Sequence, residues 1–437
     1  MTGITSKPDP AAKIVPASGS FYGWKLLALM WFLFMNFSLI IYGGSILNAY
    51  MARALDMSRD SFGAGVSLAY LLMGLAAPLA AFMVNKYGSR RTLFIGILLM
   101  AFGSLALGTL VKNAIGFTIA YGVVCGLGLA IGGLIPLQTV VTNWFERRRT
   151  LATAIFLSSG GIGGLLASYF FSMLINRVGV SGQGVWLIQS ALSFLLAVLA
   201  ILFVRNRPAD MGQVPDGKAA GGNLVEGQVE APSRVYRTRE EWEFKEVLRT
   251  ATNWLLFVGA LGMALSYEFC SAYGVIHLMD IDFPNIIASI SIGVLSSFAV
   301  VGRLLAGYLG DRIEPRYLMS VGSAMIGVAC LLIINPPSAA LTYLYGFFGG
   351  VGQGLIFVCM FTVIANYYGP EMLPNILGLG MPIIAVATAS AILLGGFIRV
   401  ETGSYALGFV ICALIAFVSS LASFISRPPQ KPGRSST

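Results

Sequence analysis

Ser296-Ser-Phe-Ala-Val-Val-Gly-Arg-Leu-Leu-Ala-Gly-Tyr-Leu-Gly-Asp-Arg312 decides how the chain is read. The stretch has the character of a membrane helix running into a short polar turn. Arg303 sits inside it with about two turns of apolar helix on each side. A central arginine costs at least about 2.5–3.5 kcal/mol of insertion energy and seldom faces lipid. It faces a bundle interior or a watery cavity. Two readings follow. Arg303 holds the carboxylate of a bound solute, or it pairs structurally with a buried acid or with helix carbonyls. The surrounding chain decides what cavity encloses it.

The chain has 437 residues, 57% hydrophobic and 11% charged. A soluble protein carries about twice that charge. Apolar runs recur from end to end, and each crossing of a bilayer needs about 20 such residues. The sequence is that of a polytopic membrane protein. The net charge of +9 therefore need not mean a nucleic-acid partner. Cys125, Cys270, Cys330, Cys359 and Cys412 all fall in apolar runs, so buried free thiols are expected and no disulfide framework. The polar first 20 residues do not resemble a cleaved signal peptide.

Twelve spans are expected, near 24–50, 61–84, 92–111, 115–142, 150–176, 184–204, 253–279, 284–309, 317–335, 340–367, 375–399 and 404–426. Trp24, Trp144, Trp186 and Trp254 fall at span ends, where indole favours the interface. With both termini inside, cytoplasmic segments collect 22 of the 28 Lys and Arg residues. The outer loops hold five (Arg53, Arg59, Lys112, Arg177 and Arg399), and Arg303 is the one left in the membrane. That asymmetry predicts cytoplasmic termini. Multi-pass insertion in the cell (inner) membrane is expected.

A polar stretch divides the spans six and six. Met211 to Gly227 is rich in Gly, Asp and Pro and reads as a flexible linker. Arg239 to Arg249 reads either as a short amphipathic helix on the inner face or as a solvated linker helix. The expected segments are a tail at 1–20, a first six-helix bundle at 21–205, a linker at 206–250, a second bundle at 251–427 and a tail at 428–437. The halves resemble each other. Tyr121-Gly122 with Gly126 and Gly128 recurs as Tyr345-Gly346 with Gly350 and Gly352. Asn143-Trp144-Phe145 recurs as Asn366-Tyr367-Tyr368, and the turn at Asn85, Lys86 and Arg90 recurs at Asp311, Arg312 and Arg316. Three landmarks at nearly one offset indicate an internal duplication.

Asn85-Lys-Tyr-Gly-Ser-Arg-Arg91 resembles part of the major facilitator signature GxLaDrxGrk, with Asn85 in place of its Asp. Gly307-Tyr-Leu-Gly-Asp-Arg312 fits the first part of that signature better. Trp144-Phe-Glu-Arg-Arg-Arg-Thr-Leu-Ala-Thr-Ala154 resembles the monocarboxylate transporter signature YFxKRRxLAxG almost position by position. Glu246-Val-Leu-Arg-Thr-Ala-Thr-Asn-Trp254 resembles the approach to the seventh span in oxalate/formate antiporter relatives. The resemblance covers the membrane part of the chain. It implies an all-α major facilitator fold of two six-helix bundles, with a substrate site near the midplane. It places Arg303 where both families have a substrate-linked arginine.

The departures are informative. Animal monocarboxylate transporters carry an Asp four residues before that arginine, and this chain has Ala299. Their first-helix lysine falls near Tyr42, and the second cation of the oxalate/formate antiporters falls near Ile384. One deep cation suits one carboxylate. A second, unpaired carboxylate would cost several kcal/mol on desolvation.

Glu268 is the only deep acid, about 22 Å from the inner end of its span, against about 12 Å for Arg303. It is either a protonatable coupling group or a structural carboxyl facing an outer vestibule. His277, the sole histidine, is expected in a structural role near a span end. Depth suggests Asn36, Tyr42, Leu134, Gly160, Tyr267, Gln353, Phe357, Met381 and Ile384 as further lining residues, each with helix packing as the alternative. The glycines serve close helix approach.

No catalytic constellation, metal cluster or cofactor motif is present in the sequence, so no enzyme, cofactor or metal is expected. The expected function is secondary transport of a short monocarboxylate of the lactate or pyruvate type across the cell membrane by alternating access, with proton symport. The alternatives are exchange of organic anions without protons and, more remotely, a membrane receptor or sensor.

Overall fold

The computed structural model describes residues 21–55, 57–217, 235–336 and 338–431. The expected tail at 1–20, the middle of the linker at 218–234, and residues 432–437 lie outside the described residues. Among the described residues, eleven helices are long and apolar enough to cross a membrane, and a bent pair, Phe62–Leu75 and Ala77–Tyr87, makes twelve. The pair meets at 46° and forms the second span. The first span is the helix Gly23–Ala54. The third to sixth are Ser89–Thr109, Ala114–Trp144, Arg149–Asn176 and Gly182–Phe203. The seventh to twelfth are Ala251–Asp280, Asn285–Leu309, Pro315–Ile333, Ala339–Tyr368, Leu373–Thr402 and Ala406–Ile425.

The spans form because uninterrupted apolar stretches leave helix as the way to satisfy every backbone group inside lipid. They end where the sequence supplies a turn. Gly88 takes φ +80 between the second and third spans, and a Cβ there would stand 2.5 Å from the Asn206 amide. Only glycine suits both constraints.

The duplication is visible in equivalent contacts. Tyr121 and Tyr345 are both fully buried. Each donates its hydroxyl to a carbonyl of the first span of its own half, Ile40 at 3.3 Å and Cys270 at 2.9 Å. A Cβ on Gly122 would meet the Gly65 carbonyl, and one on Gly346 the Ser291 carbonyl. Trp144 Nε1 donates to the Arg205 carbonyl after the sixth span, and Tyr367 donates to the Ser426 carbonyl after the twelfth.

Those tyrosine and tryptophan positions correct one expectation. Trp24 and Trp254 are exposed at span ends, whereas Trp144 and Trp186 are fully buried. Trp144 is covered by the rings of Phe21 and Tyr22. All five cysteines are free and buried, with Cys270 and Cys330 in Sγ–Sγ contact at 3.4 Å. The expected helix at 239–249 is shorter, Phe244–Arg249, because the Thr238 N–H is held by the Asn366 carbonyl of the tenth span and Trp242 packs on Tyr368 there.

The two sets of six spans meet along two seams. One joins the fifth and eighth spans, where Gly307 abuts Ala154 and Leu151, and Gly161 abuts Val300. The other joins the second and eleventh, where Gly378 abuts Ala81 and Pro78, and Gly74 abuts Ala385. Both seams run from the face that carries the linker to the middle of the bundle.

Candidate functional site

Arg303 lies where the first seam ends, halfway through the bundle. Its span is pressed against the tenth: a Cβ on Gly354 would stand 2.5 Å from the Arg303 backbone nitrogen, and one on Gly302 2.4 Å from the Val351 carbonyl. The backbones therefore touch, and the root of Arg303 is fixed. The side chain crosses to the other half. Its Nη1 donates to the Leu157 carbonyl of the fifth span at 2.9 Å. Gly160 and Gly161 leave room for it; a Cβ on either would stand 3.6 Å from Nη1. The guanidinium lies 5.2 Å from the centre of the Phe357 ring, within cation–π range. Arg303 Nε is buried and has no hydrogen-bond partner among the described residues.

On the far side of Arg303 from the linker, polar side chains from both halves face one another. Tyr42 and Tyr267 lie within electrostatic reach of the guanidinium. Tyr70 lies within such reach of Tyr42 and Glu268. Tyr42 is 50% exposed and Tyr70 45%, although both face the opposite half. The cleft between the halves is thus open towards the face away from the linker. Glu268 makes no hydrogen bond or ion pair among the described residues, and it is not paired with Arg303. It follows directly on a π-helical turn, Met263–Tyr267. Such turns are frequent at functional sites because the bulge re-aims the next side chain. Thr388 and Ser266 tie this region to the eleventh and twelfth spans, through Ala264 O and Cys412 O.

Of the expected lining residues, Gly160, Phe357, Tyr267 and Tyr42 are gathered around Arg303. Gln353 is buried one turn from Phe357, with its Oε1 unpaired. Leu134 packs against the core. Asn36 is a correction. It is fully buried inside the first half, where its Oδ1 accepts from Gln189 at 2.8 Å and from Ser193 at 3.0 Å. Met381 and Ile384 line a small apolar cavity with Asn253, Phe257 and Met360 inside the second half. His277 is buried, with its Nε2 on the Ile334 carbonyl at 3.0 Å and its ring against Phe409.

Sequence reasoning missed Tyr70, the Leu157 carbonyl, and an aromatic floor in which Phe34 stacks on Phe37 and packs on Phe156 beside Gly160. A tyrosine inside the apolar second span was the available signal for Tyr70.

At the linker face the cleft is closed by polar contacts between the halves. The Asp311 carboxylate accepts from the Thr150 and Leu151 N–H groups at 2.9 and 3.2 Å. These are among the orphan donors of a helix N-terminus. Burial holds the Asp311 carboxyl above the usual carboxylate range, although those donors pull it down. Asn85, at the repeat-equivalent turn, donates to Asn375. Arg149 is not merely a topological charge: it is 5% exposed and donates to Asn366 Oδ1 at 2.6 Å.

This arrangement, two repeated bundles around one central cation with one side sealed, defines a solute carrier. The chain matches the Major Facilitator Superfamily over residues 26–387 and again over 289–437, and it belongs to that superfamily. It is 24% identical over 369 residues to monocarboxylate transporter 13 of Bos taurus, covering 83% of this chain and 79% of the relative. It is 23% identical over 415 residues to the gentisate transporter of Corynebacterium glutamicum, covering 92% and 87%. The crystal structure of the E. coli fucose:proton symporter superposes with a TM-score of 0.70 at 14% identity, covering 92% of this chain and 98% of that one. The protein is a multi-pass membrane transporter of a small solute, not an enzyme.

Proposed function

We propose that the protein carries a short monocarboxylate, of the lactate or pyruvate type, across the cell membrane by alternating access, together with a proton. The linker face is the cytoplasmic one in this reading, because the basic residues collect there. The observation that carries it is the state of Arg303. One guanidinium nitrogen is anchored on the Leu157 carbonyl, and Nε is buried without a partner. A buried charged donor left unpaired is costly. A carboxylate accepting from Nε and the adjacent Nη2 would remove that cost through a bidentate pair. Phe357 and the neighbouring apolar side chains would cover a short carbon tail. The relatives named as monocarboxylate and gentisate transporters support a carboxylate substrate. Because the empty cation is the costly state, the loaded carrier should reorient more readily than the empty one.

The test is uptake of labelled lactate or pyruvate by proteoliposomes. Arg303→Ala should reduce uptake to background while the protein still inserts and folds. Arg303→Lys should also be poor, because an ammonium cannot reproduce the planar fork. Near-normal uptake by Arg303→Ala would end the proposal.

One observation favours a second reading, exchange of organic anions without protons. Glu268 makes no contact with Arg303, so no direct link joins the only deep acid to the substrate cation. Uptake by unloaded proteoliposomes under an inward proton gradient distinguishes the two: a symporter accumulates labelled substrate there, whereas an exchanger needs preloaded anion.

A further inference from the structure

The turn between the fourth and fifth spans is gripped from both sides by the linker. On one side Asp216 accepts from the backbone N–H groups of Glu146 and Arg147, at 3.1 and 2.7 Å. Asp216 does so from a left-handed backbone conformation, φ 58. On the other side Arg237 donates to the carbonyls of the same two residues: Nε to Glu146 O at 3.1 Å, and Nη2 to Arg147 O at 3.2 Å.

The two arms of the linker are anchored differently. The arm before residue 218 belongs to the first half: the Asn206 carbonyl accepts from Asn143, and Gln213 Oε1 accepts from the Tyr22 N–H. The arm after residue 234 belongs to the second half. Thr238 N donates to the Asn366 carbonyl at 2.7 Å, and Tyr236 N donates to Glu314 Oε2 at 2.9 Å. Tyr236 packs edge-on against Tyr367, and Trp242, 5% exposed, packs edge-on against Tyr368. Arg237 therefore stands on the second half and holds the backbone of the first. The halves cannot part at this face without breaking its two hydrogen bonds.

We propose that Arg237 is a positioning residue of transport: the second linker arm is a strap that holds the linker face closed, and Arg237 is its clasp. Arg237 touches no substrate in this scheme. It sets the balance between the form open on the far face and the form open on the linker face. The strap spans the halves independently of what the cleft carries, so the inference does not rest on the monocarboxylate reading.

The test uses the full-length protein in lipid nanodiscs, without substrate. Spin labels are placed on Lys86→Cys in the first half and Arg427→Cys in the second, both exposed at the linker face. The native cysteines are buried and remain unlabelled. The distance distribution between the labels reports opening. Arg237→Ala should raise the long-distance population by about three- to tenfold, the range of one or two partly exposed charged hydrogen bonds. Arg237→Lys, which keeps the charge but not the two-pronged geometry, should fall between. Trp242→Ala, which loosens the anchor rather than the clasp, should shift the distribution in the same direction. A lowered melting temperature for Arg237→Ala with an unchanged distance distribution would mean a merely structural side chain, and would overturn the proposal. Should Arg237→Ala fail to fold, an unchanged distribution in both Arg237→Lys and Trp242→Ala would overturn it equally.

Discussion

The carboxylate of Asp311, at the end of the eighth span, accepts the backbone N–H of Thr150, at the start of the fifth, at 2.9 Å. One residue on the second half thereby satisfies the free N-terminus of a helix on the first. The contact can exist only while this face is closed. Asp311→Ala removes two hydrogen bonds to a charged acceptor and also relieves its burial, so the net change is on the order of 1–2 kcal/mol. The fraction open at the linker face should rise by about five- to thirtyfold. Asp311→Asn, whose amide oxygen still accepts, should do less. Label distances across that face measure both, and equal distributions in wild type and Asp311→Ala would refute the latch. The sign of the pH effect follows from burial. A carboxyl that binds its proton more tightly closed than open favours closure as pH falls through its range. Acidification should therefore raise the closed fraction, and Asp311→Asn should diminish that response.

Gly354 sets the height of Arg303. A Cβ there would stand 2.4 Å from the Ala299 carbonyl and 2.5 Å from the Arg303 nitrogen, both backbone atoms that cannot swing aside. Gly354→Ala should push the eighth and tenth spans apart at a cost of about 1–3 kcal/mol. It should also move the guanidinium relative to Phe357. Thermal melting should fall by several degrees, and stabilisation by added substrate should be lost. Gly293→Ala, in the same eighth span with nothing within 4 Å of its Cβ position, is the control and should be neutral. An unperturbed Gly354→Ala would show that the backbone contact is not what positions the cation.

A single unpaired donor edge predicts a preference in substrate valence. A monocarboxylate neutralises Arg303, whereas a dicarboxylate brings a second charge that Ile384, at the expected second-cation position, cannot meet. Competition by oxalate or succinate against labelled lactate should need at least about tenfold higher concentration than competition by monocarboxylates. Oxalate competing at equal concentration would contradict the one-cation argument.

Arg303 was legible in the sequence because a charge inside an apolar run has few explanations. Twelve spans and their repeat were legible for the same reason: hydropathy reports length, and the Tyr-Gly and Asn-aromatic landmarks recur. The azimuth of a residue was not legible where a helix is apolar all round. Asn36 and Tyr42 lie on one helix, six residues apart, about 9 Å along its axis and about 120° around it. They could not both face one cleft, and Asn36 turns inward to Gln189. The anchor of Arg303 escaped notice because the Leu157 carbonyl is backbone and leaves no mark in the sequence. The strap escaped because Arg237 binds carbonyls some ninety positions away, and a polar linker carries no periodicity that announces such a contact. The run Arg147 to Arg149 stands in the signature resemblance as three basic residues alike, and nothing in it marks Arg149 as the one buried on Asn366.

Proton coupling is the remaining prediction. Moving a monocarboxylate with one proton leaves the pair neutral overall, which avoids about 2.3 kcal/mol per charge for each 100 mV of opposing potential. A titratable carrier is needed, and Glu268 has the right setting. It lies in the open part of the cleft, within electrostatic reach of Tyr42, Tyr70 and Tyr267, and has no partner of its own among the described residues. Glu268→Gln keeps the shape and fixes the neutral form. Substrate binding should survive, and so should exchange of labelled for unlabelled substrate at equal concentrations. Uphill uptake driven by an inward proton gradient should be lost. The comparison is made in one proteoliposome preparation, so that a defect in insertion would lower exchange and uptake together. If Glu268→Gln still concentrates substrate, Glu268 is not the proton carrier. The proton would then travel on the carboxylate beside Arg303, and an uncoupler that collapses the gradient should stop the uptake; uptake that the uncoupler leaves unchanged would mean that no proton is coupled.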